Sequence, residues 1–157
     1  MKVTMTVGIS ASGKSTWVRQ QELNPGVVVT ELDRIRHFVQ RYNKPELDTS
    51  DGVVWSEWNW GDEKLVLMLQ AFQIHLAKEQ GWCEEIIFAD TNLTKATRER
   101  VVRQFTKWAG MDPDSVELKI FDTPLEVCLE RDAKRVHPVG ADVIRSQHER
   151  KDITNDN

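Results

Sequence analysis

The sequence predicts an α/β fold in three layers: a central, roughly four-stranded parallel sheet, helices on both of its faces, and a small basic lid. Three observations predict it. Short β-branched, apolar runs alternate along the chain with longer stretches whose apolar residues recur at helical spacing. Strands separated by helices in this way pair in parallel through right-handed crossovers. A glycine-rich loop lies between the first strand and the first helix, and such sheets bind ligands at the carboxyl ends of their strands.

The elements follow in order. Residues 2–8 are β-branched and apolar and end at Gly8, which marks a first strand. Residues 14–23 read as a helix closed by Asn24-Pro25-Gly26. Residues 27–30 form a short apolar strand, and the helix after it carries Ile35, Phe38, Val39 and Tyr42. Residues 43–61 are polar, turn-rich and Trp-rich, and take no assignment. Residues 62–80 form the strongest helix, with Leu65, Met68, Leu69, Phe72 and Leu76 on one stripe, the face such a helix turns to a core. Residues 85–89 are a third strand that stops at Asp90. Thr94 caps a helix running to Trp108, with Gly110 just past its end. Residues 116–121 are a fourth strand, and Thr123-Pro124 read as cap and first residue of a helix to about 132. A short helix over 141–150 completes one domain, leaving 151–157 as a polar, frayed tail.

A chain of 157 residues fits one domain with a real core. Acidic residues outnumber basic ones by 25 to 21, a net charge of −4. A nucleic-acid footprint is normally basic, so the totals argue against wrapping a long duplex. The apolar runs fall far short of the ~18 residues of a membrane helix. The N-terminus lacks a signal peptide's apolar region and cleavage site, so a cytoplasmic location without membrane contact is expected. Cys83 and Cys128 read as reduced, buried thiols. His37, His75, His137 and His148 form no ligand-like cluster. Arg98, Arg100, Arg103 and Lys107 read as a solvated helix face, and Trp17, Trp82 and Trp108 as structural.

The glycine-rich loop carries the clearest chemistry. Gly8-Ile9-Ser10-Ala11-Ser12-Gly13-Lys14-Ser15 fits G-x-x-x-x-G-K-[ST], with a strand before it and a helix after. Gly8 and Gly13 let the backbone wrap a phosphate chain, and the amides of Ser10–Ser15 are expected to point inward. Lys14 would reach the β- and γ-phosphates, Ser15 would offer its hydroxyl to Mg²⁺, and Thr16 belongs to the same nucleotide-binding turn. The pattern predicts binding of a nucleoside triphosphate.

Three other strand ends carry candidates. Asp33 either accepts a proton from an acceptor hydroxyl as general base or merely caps its helix. Arg36, one turn on, could hold an acceptor phosphate. Asp90 either orders Mg²⁺ or fixes an arginine of the acceptor site, with Thr91 and Asn92 adding hydrogen-bonding groups. Arg131, Lys134 and Arg135 either close a basic lid over the phosphates or end a solvated helix.

Together these pieces resemble the 5′-kinase domain of phage polynucleotide 5′-hydroxyl kinases. The resemblance rests on the loop over 8–17, Asn24-Pro25-Gly26, Asp33 with Arg36, Ala89-Asp90-Thr91-Asn92-Leu93, Phe121-Asp122-Thr123-Pro124 leading to Arg131, and Asp142-Val143-Ile144-Arg145-Ser146. It implies a P-loop kinase fold and transfer of the ATP γ-phosphate to the 5′-hydroxyl of single-stranded DNA or RNA ends. By similarity Lys14 and Ser15 hold ATP and Mg²⁺, and Asp33 is the general base. Arg36 binds the phosphate on the 3′ side of the terminal nucleotide, Asp90 orients Arg36, and Arg131 stabilises the transition state. A phage origin would put the protein in the cytoplasm of an infected bacterium.

The resemblance has limits. The Asp-x-Asp-Gly-Thr motif of longer members is absent, and Asp48-Thr49-Ser50-Asp51-Gly52 has the wrong spacing, so no 3′-phosphatase activity is expected. Residues 46–61, with Trp55, Trp58 and Trp60, do not align with the family. These tryptophans either stack bases or pack, in the core or at a contact of a homo-oligomer, and packing is preferred. A P-loop kinase of a small metabolite or antibiotic is the alternative. Local charge permits a grip on one strand end: residues 31–44 hold four basic residues against two acidic, and 130–137 hold three against two.

Overall fold

The computed structural model describes residues 1–153, and its centre is a sheet of four parallel strands: β1 (Lys2–Val7), β2 (Val27–Thr30), β3 (Glu85–Phe88) and β4 (Ser115–Ile120). Their order is β2-β3-β1-β4, with Val3 opposite both Ile86 and Val116. Six α-helices connect and flank the strands among the described residues: α1 (Lys14–Gln21), α2 (Leu32–Asn43), α3 (Glu63–Glu79), α4 (Lys95–Ala109), α5 (Leu125–Ala133) and α6 (Ala141–Arg150).

The pleat decides which side chains meet which helices. Val3, Met5, Ile86 and Phe88 face Ile74 and Ala77 of α3 and Val101 and Phe105 of α4. Ile87 and Ala89 face the other way, against Trp17 and Val18 of α1. Helices therefore cover both faces, as expected. β1 is buried from Val3 to Val7 because strands flank it on both sides, whereas the edge strand β4 is mostly exposed. A third cluster, Ile9, Leu93, Cys128 and Ile144, fastens α5 and α6 beneath the glycine-rich loop. A fourth, Ile35, Val39, Val53, Trp58 and Val66, joins α2 to α3.

The element bounds agree with the sequence within two residues, but several faces do not. On α3 the core takes Val66, Ala71, Ile74 and Ala77, while Met68 is 68% and Phe72 60% exposed. Leu65 and Leu76 of the expected core stripe are also exposed. Both stripes have helical spacing, and only the packing of α2 and α4 decides between them. On α2, Ile35 and Val39 are buried but Phe38 and Tyr42 are exposed. Arg98 is buried rather than solvated: its Nη1 donates to the carbonyls of Asn92 and Asp152. Trp82 and Trp108 lie at the surface, and Lys107 stacks over the Trp108 ring.

The caps of α4 follow the sequence and that of α5 does not. The Thr94 hydroxyl accepts from the Thr97 amide and Gly110 closes α4 with φ 70°, both as expected. Thr123, however, does not cap α5, which begins after Pro124. Its hydroxyl donates to the Ser12 carbonyl at 2.8 Å and clasps the loop. The expected frayed tail is docked at its start, where Lys151 Nζ donates to the Phe121 carbonyl and the Asp152 amide to the Leu93 carbonyl. Residues 154–157 lie outside the described residues. The unassigned stretch holds two 3₁₀ turns, Trp55–Glu57 and Trp60–Asp62, that lead into α3.

Candidate active site

All four strands run parallel, so their carboxyl ends share one edge of the sheet, and backbone hydrogen bonds tie the loops there together. The Gly8 amide donates to the Thr91 carbonyl, the Ala89 amide to Thr30, and the Phe121 amide to Val7. Asn92, in the left-handed region at φ 43°, donates its amide group to the carbonyls of Thr6 and Phe88, locking the ends of β1 and β3.

The loop between β1 and α1 is built for close backbone approach. A Cβ on Gly8 would lie 2.7 Å from Ser12 Oγ and 2.9 Å from the Phe121 Cβ, so only glycine fits. Gly13 has φ 96°, and Ala11, a non-glycine, has φ 62°. Arg131 of α5 crosses to this loop and donates from Nη1 to the strained Ala11 residue's carbonyl at 3.2 Å.

Lys14 Nζ donates to the carbonyls of Gly8 and Ile9, both at 2.8 Å. Burial lowers its ammonium to about 8, against the opposing fields of Glu31, Asp90 and Asp33. Ser12 Oγ is buried and, among the described residues, has no hydrogen-bond partner. An orphaned hydroxyl, a half-buried cation and an exposed Ser15 at the helix start fit a phosphate chain with its Mg²⁺.

The inward amides expected over residues 10–15 are partly committed elsewhere. The Ser10 amide donates to Gln147 Oε1 of α6 at 2.8 Å, and the Ser12 amide to the Ile9 carbonyl. Ser15 and Thr16 are exposed in the first turn of α1. The residues expected to form a lid are divided likewise. Arg131 reaches the loop, but Arg135 pairs with buried Asp132 at 3.7 Å and Lys134 with Glu130. Asp132 also accepts from the amides of Val139 and Gly140 and so folds the segment after α5 back on itself.

At the carboxyl end of β2, Asp33 is exposed in the first turn of α2, where its Oδ1 accepts from Arg36 Nη1 at 2.7 Å. It makes no side-chain cap for α2. One edge of the Arg36 guanidinium meets Glu63 as a fork, Nε to Oε1 at 2.8 Å and Nη2 to Oε2 at 3.1 Å. Trp58 Nε1 donates to the same Glu63 Oε1, and hydrogen bonding to Arg36 holds the Glu63 carboxyl below its ordinary range.

The orienting contact expected from Asp90 thus comes from Glu63. Asp90 Oδ1 accepts instead from the Leu32 amide at 2.9 Å, and burial pushes its carboxyl up to about 7. Thr91 contributes its carbonyl to Gly8. Glu63 and Gln147 carried no signal in the sequence, because 27 and 137 residues separate them from their partners.

The fold and site define a P-loop nucleotide-binding domain with a kinase-like α/β architecture. The family model described as an AAA domain matches residues 3–152, and the chain belongs to that family. Among solved structures, it resembles a chain of the Pnkp1/Rnl/Hen1 RNA repair complex with a TM-score of 0.67 and 20% identity, over 95% of this chain and 43% of that one. A sugar kinase from Janibacter sp. HTCC2649 matches with a TM-score of 0.57 and 22% identity, over 99% of this chain and 79% of that one. The chain spans less than half the length of the RNA-repair chain. Among the described residues no helix is long and apolar enough to cross a membrane.

Proposed function

We propose that the chain is an ATP-dependent polynucleotide 5′-hydroxyl kinase. The observation that carries this reading is the Asp33–Arg36 pair, 2.7 Å apart at the carboxyl end of β2, with the field of Asp33 reaching Lys14. A carboxylate beside a guanidinium suits an acceptor that carries a hydroxyl close to a phosphate, and a 5′-hydroxyl strand end is such an acceptor. The structural likeness to a chain of an RNA repair complex supports it further.

Lys14 and the loop amides bind the triphosphate, and Ser15 would hold Mg²⁺, which neutralises charge on the phosphates. Arg36, held flat by Glu63, grips the phosphate on the 3′ side of the terminal nucleotide. Asp33 accepts the 5′-hydroxyl proton as the oxygen bonds to the γ-phosphorus and the bond to the ADP oxygen breaks. Arg131, anchored at the Ala11 carbonyl, would swing toward the charge spreading over the transferred group. Asp90 secures the start of α2 through the Leu32 amide, and so the placement of Asp33.

The test is transfer of label from [γ-³²P]ATP to 5′-hydroxyl oligonucleotides of DNA and RNA. Asp33→Asn should cut turnover by roughly 10²–10⁴-fold while ADP affinity stays within about twofold. Full turnover in that variant would reject Asp33 as the base. A second reading, a kinase of a small alcohol, is favoured by the sugar kinase likeness, which spans 79% of that chain. Label on a sugar with none on any oligonucleotide would establish it.

A further inference from the structure

The aromatic segment between α2 and α3 reaches the acceptor site. Trp55 lies under Arg36, with the guanidinium carbon 5.4 Å from the ring centroid. Trp60 stacks with Trp55 at 6.1 Å and 30°. Trp58 takes another role: it is 7% exposed, packs with Ile35, Val39 and Val66, and spends its Nε1 on Glu63. Trp60 is 68% exposed, and its indole ends the run in solvent.

We infer that Trp60, backed by Trp55, is a stacking platform for a nucleobase of a single-stranded acceptor, adjoining the phosphate held by Arg36. The inference rests on the polynucleotide kinase reading. Three facts favour a base over another protein. The aromatic run begins at the arginine assigned to an acceptor phosphate, so two short steps lead from phosphate site to open ring. An indole face accepts any base, which suits an enzyme acting on strand ends of varied sequence. Two carboxylates beside the platform are paired with cations, Glu57 with Lys44 and Glu63 with Arg36, which lessens their repulsion of a phosphate backbone.

The experiment compares wild type, Trp60→Ala and Trp60→Phe on 5′-hydroxyl oligonucleotides, intact or with a single abasic site at the first, second or third nucleotide. In wild type, one abasic position should raise the acceptor KM. Trp60→Ala should raise the KM for the intact strand about tenfold, with the KM for ATP unmoved, and should abolish the penalty of that same abasic site. Trp60→Phe should restore most of the loss. An unchanged acceptor KM in Trp60→Ala, or an abasic penalty that persists in it, overturns the platform. A fall from dimer to monomer in Trp60→Ala without change in acceptor KM also overturns it and assigns the indole to self-association. If wild type labels no oligonucleotide at all, the polynucleotide reading itself fails; active wild type with indifferent Trp60→Ala sinks the platform alone.

Discussion

Single residues at this site do their work by being charged where charge is costly. Lys14 sits in the loop with its ammonium lowered to about 8 from 10.5. Bound phosphates favour the charged form, so binding at high pH must draw in a proton. ADP affinity should be flat below pH ~8 and fall above it, by up to about tenfold per unit. Calorimetry in buffers of different ionisation heat should then show proton uptake near zero at pH 7 and approaching one above pH 9; uptake that stays at zero would contradict this account.

Asp90 is the opposite case, an acid whose carboxyl burial lifts from 3.8 to about 7. The unfolded chain ionises this group near 3.8 and the folded chain only near 7. Wild type therefore loses stability as pH rises through that window and levels out above it. Asp90→Asn can keep the Leu32 hydrogen bond and escapes the loss. Urea melts should show the variant gaining on wild type from pH 4 to 7, by up to about 4 kcal/mol. Parallel pH profiles for the two proteins would show that Asp90 ionises as freely folded as unfolded.

At the scale of elements, α3 holds the clearest lesson about faces. Its apolar residues cover more than one stripe, and the sheet accepts Ile74, 1% exposed, while leaving Phe72 outside. Ile74→Ala should cost roughly 2–5 kcal/mol by opening a cavity against Phe88 and Phe105. Phe72→Gln should stay within about 0.5 kcal/mol. Equal costs would restore the face that hydrophobicity alone suggests. The first residue of the same helix, Glu63, carries the fork that aims Arg36, so the packing of α3 against α2 also sets the direction of that guanidinium.

For the whole molecule, the order of elements was legible because each depends on local chemistry. β-branched runs make strands, Thr94 and Gly110 bound a helix, and the Gly8–Ser15 pattern is written in eight consecutive residues. Lys14, Asp33 and Arg36 could be singled out for the same reason, since the loop pattern and the two ends of β2 and α2 are contiguous in the chain. The partners of those residues were not legible. Glu63 meets Arg36, Gln147 meets Ser10 and Arg131 meets Ala11 only because the parallel sheet brings distant loops to one edge. The sequence by itself determined the three-layer α/β fold and the phosphate loop, both written in short-range periodicity and backbone freedom. The tertiary structure alone decided which stripe of α3 is core, that Arg98 is buried, and that Glu63 rather than Asp90 grips Arg36. Those outcomes follow from which surfaces compete for the same neighbour, and no local pattern encodes that competition.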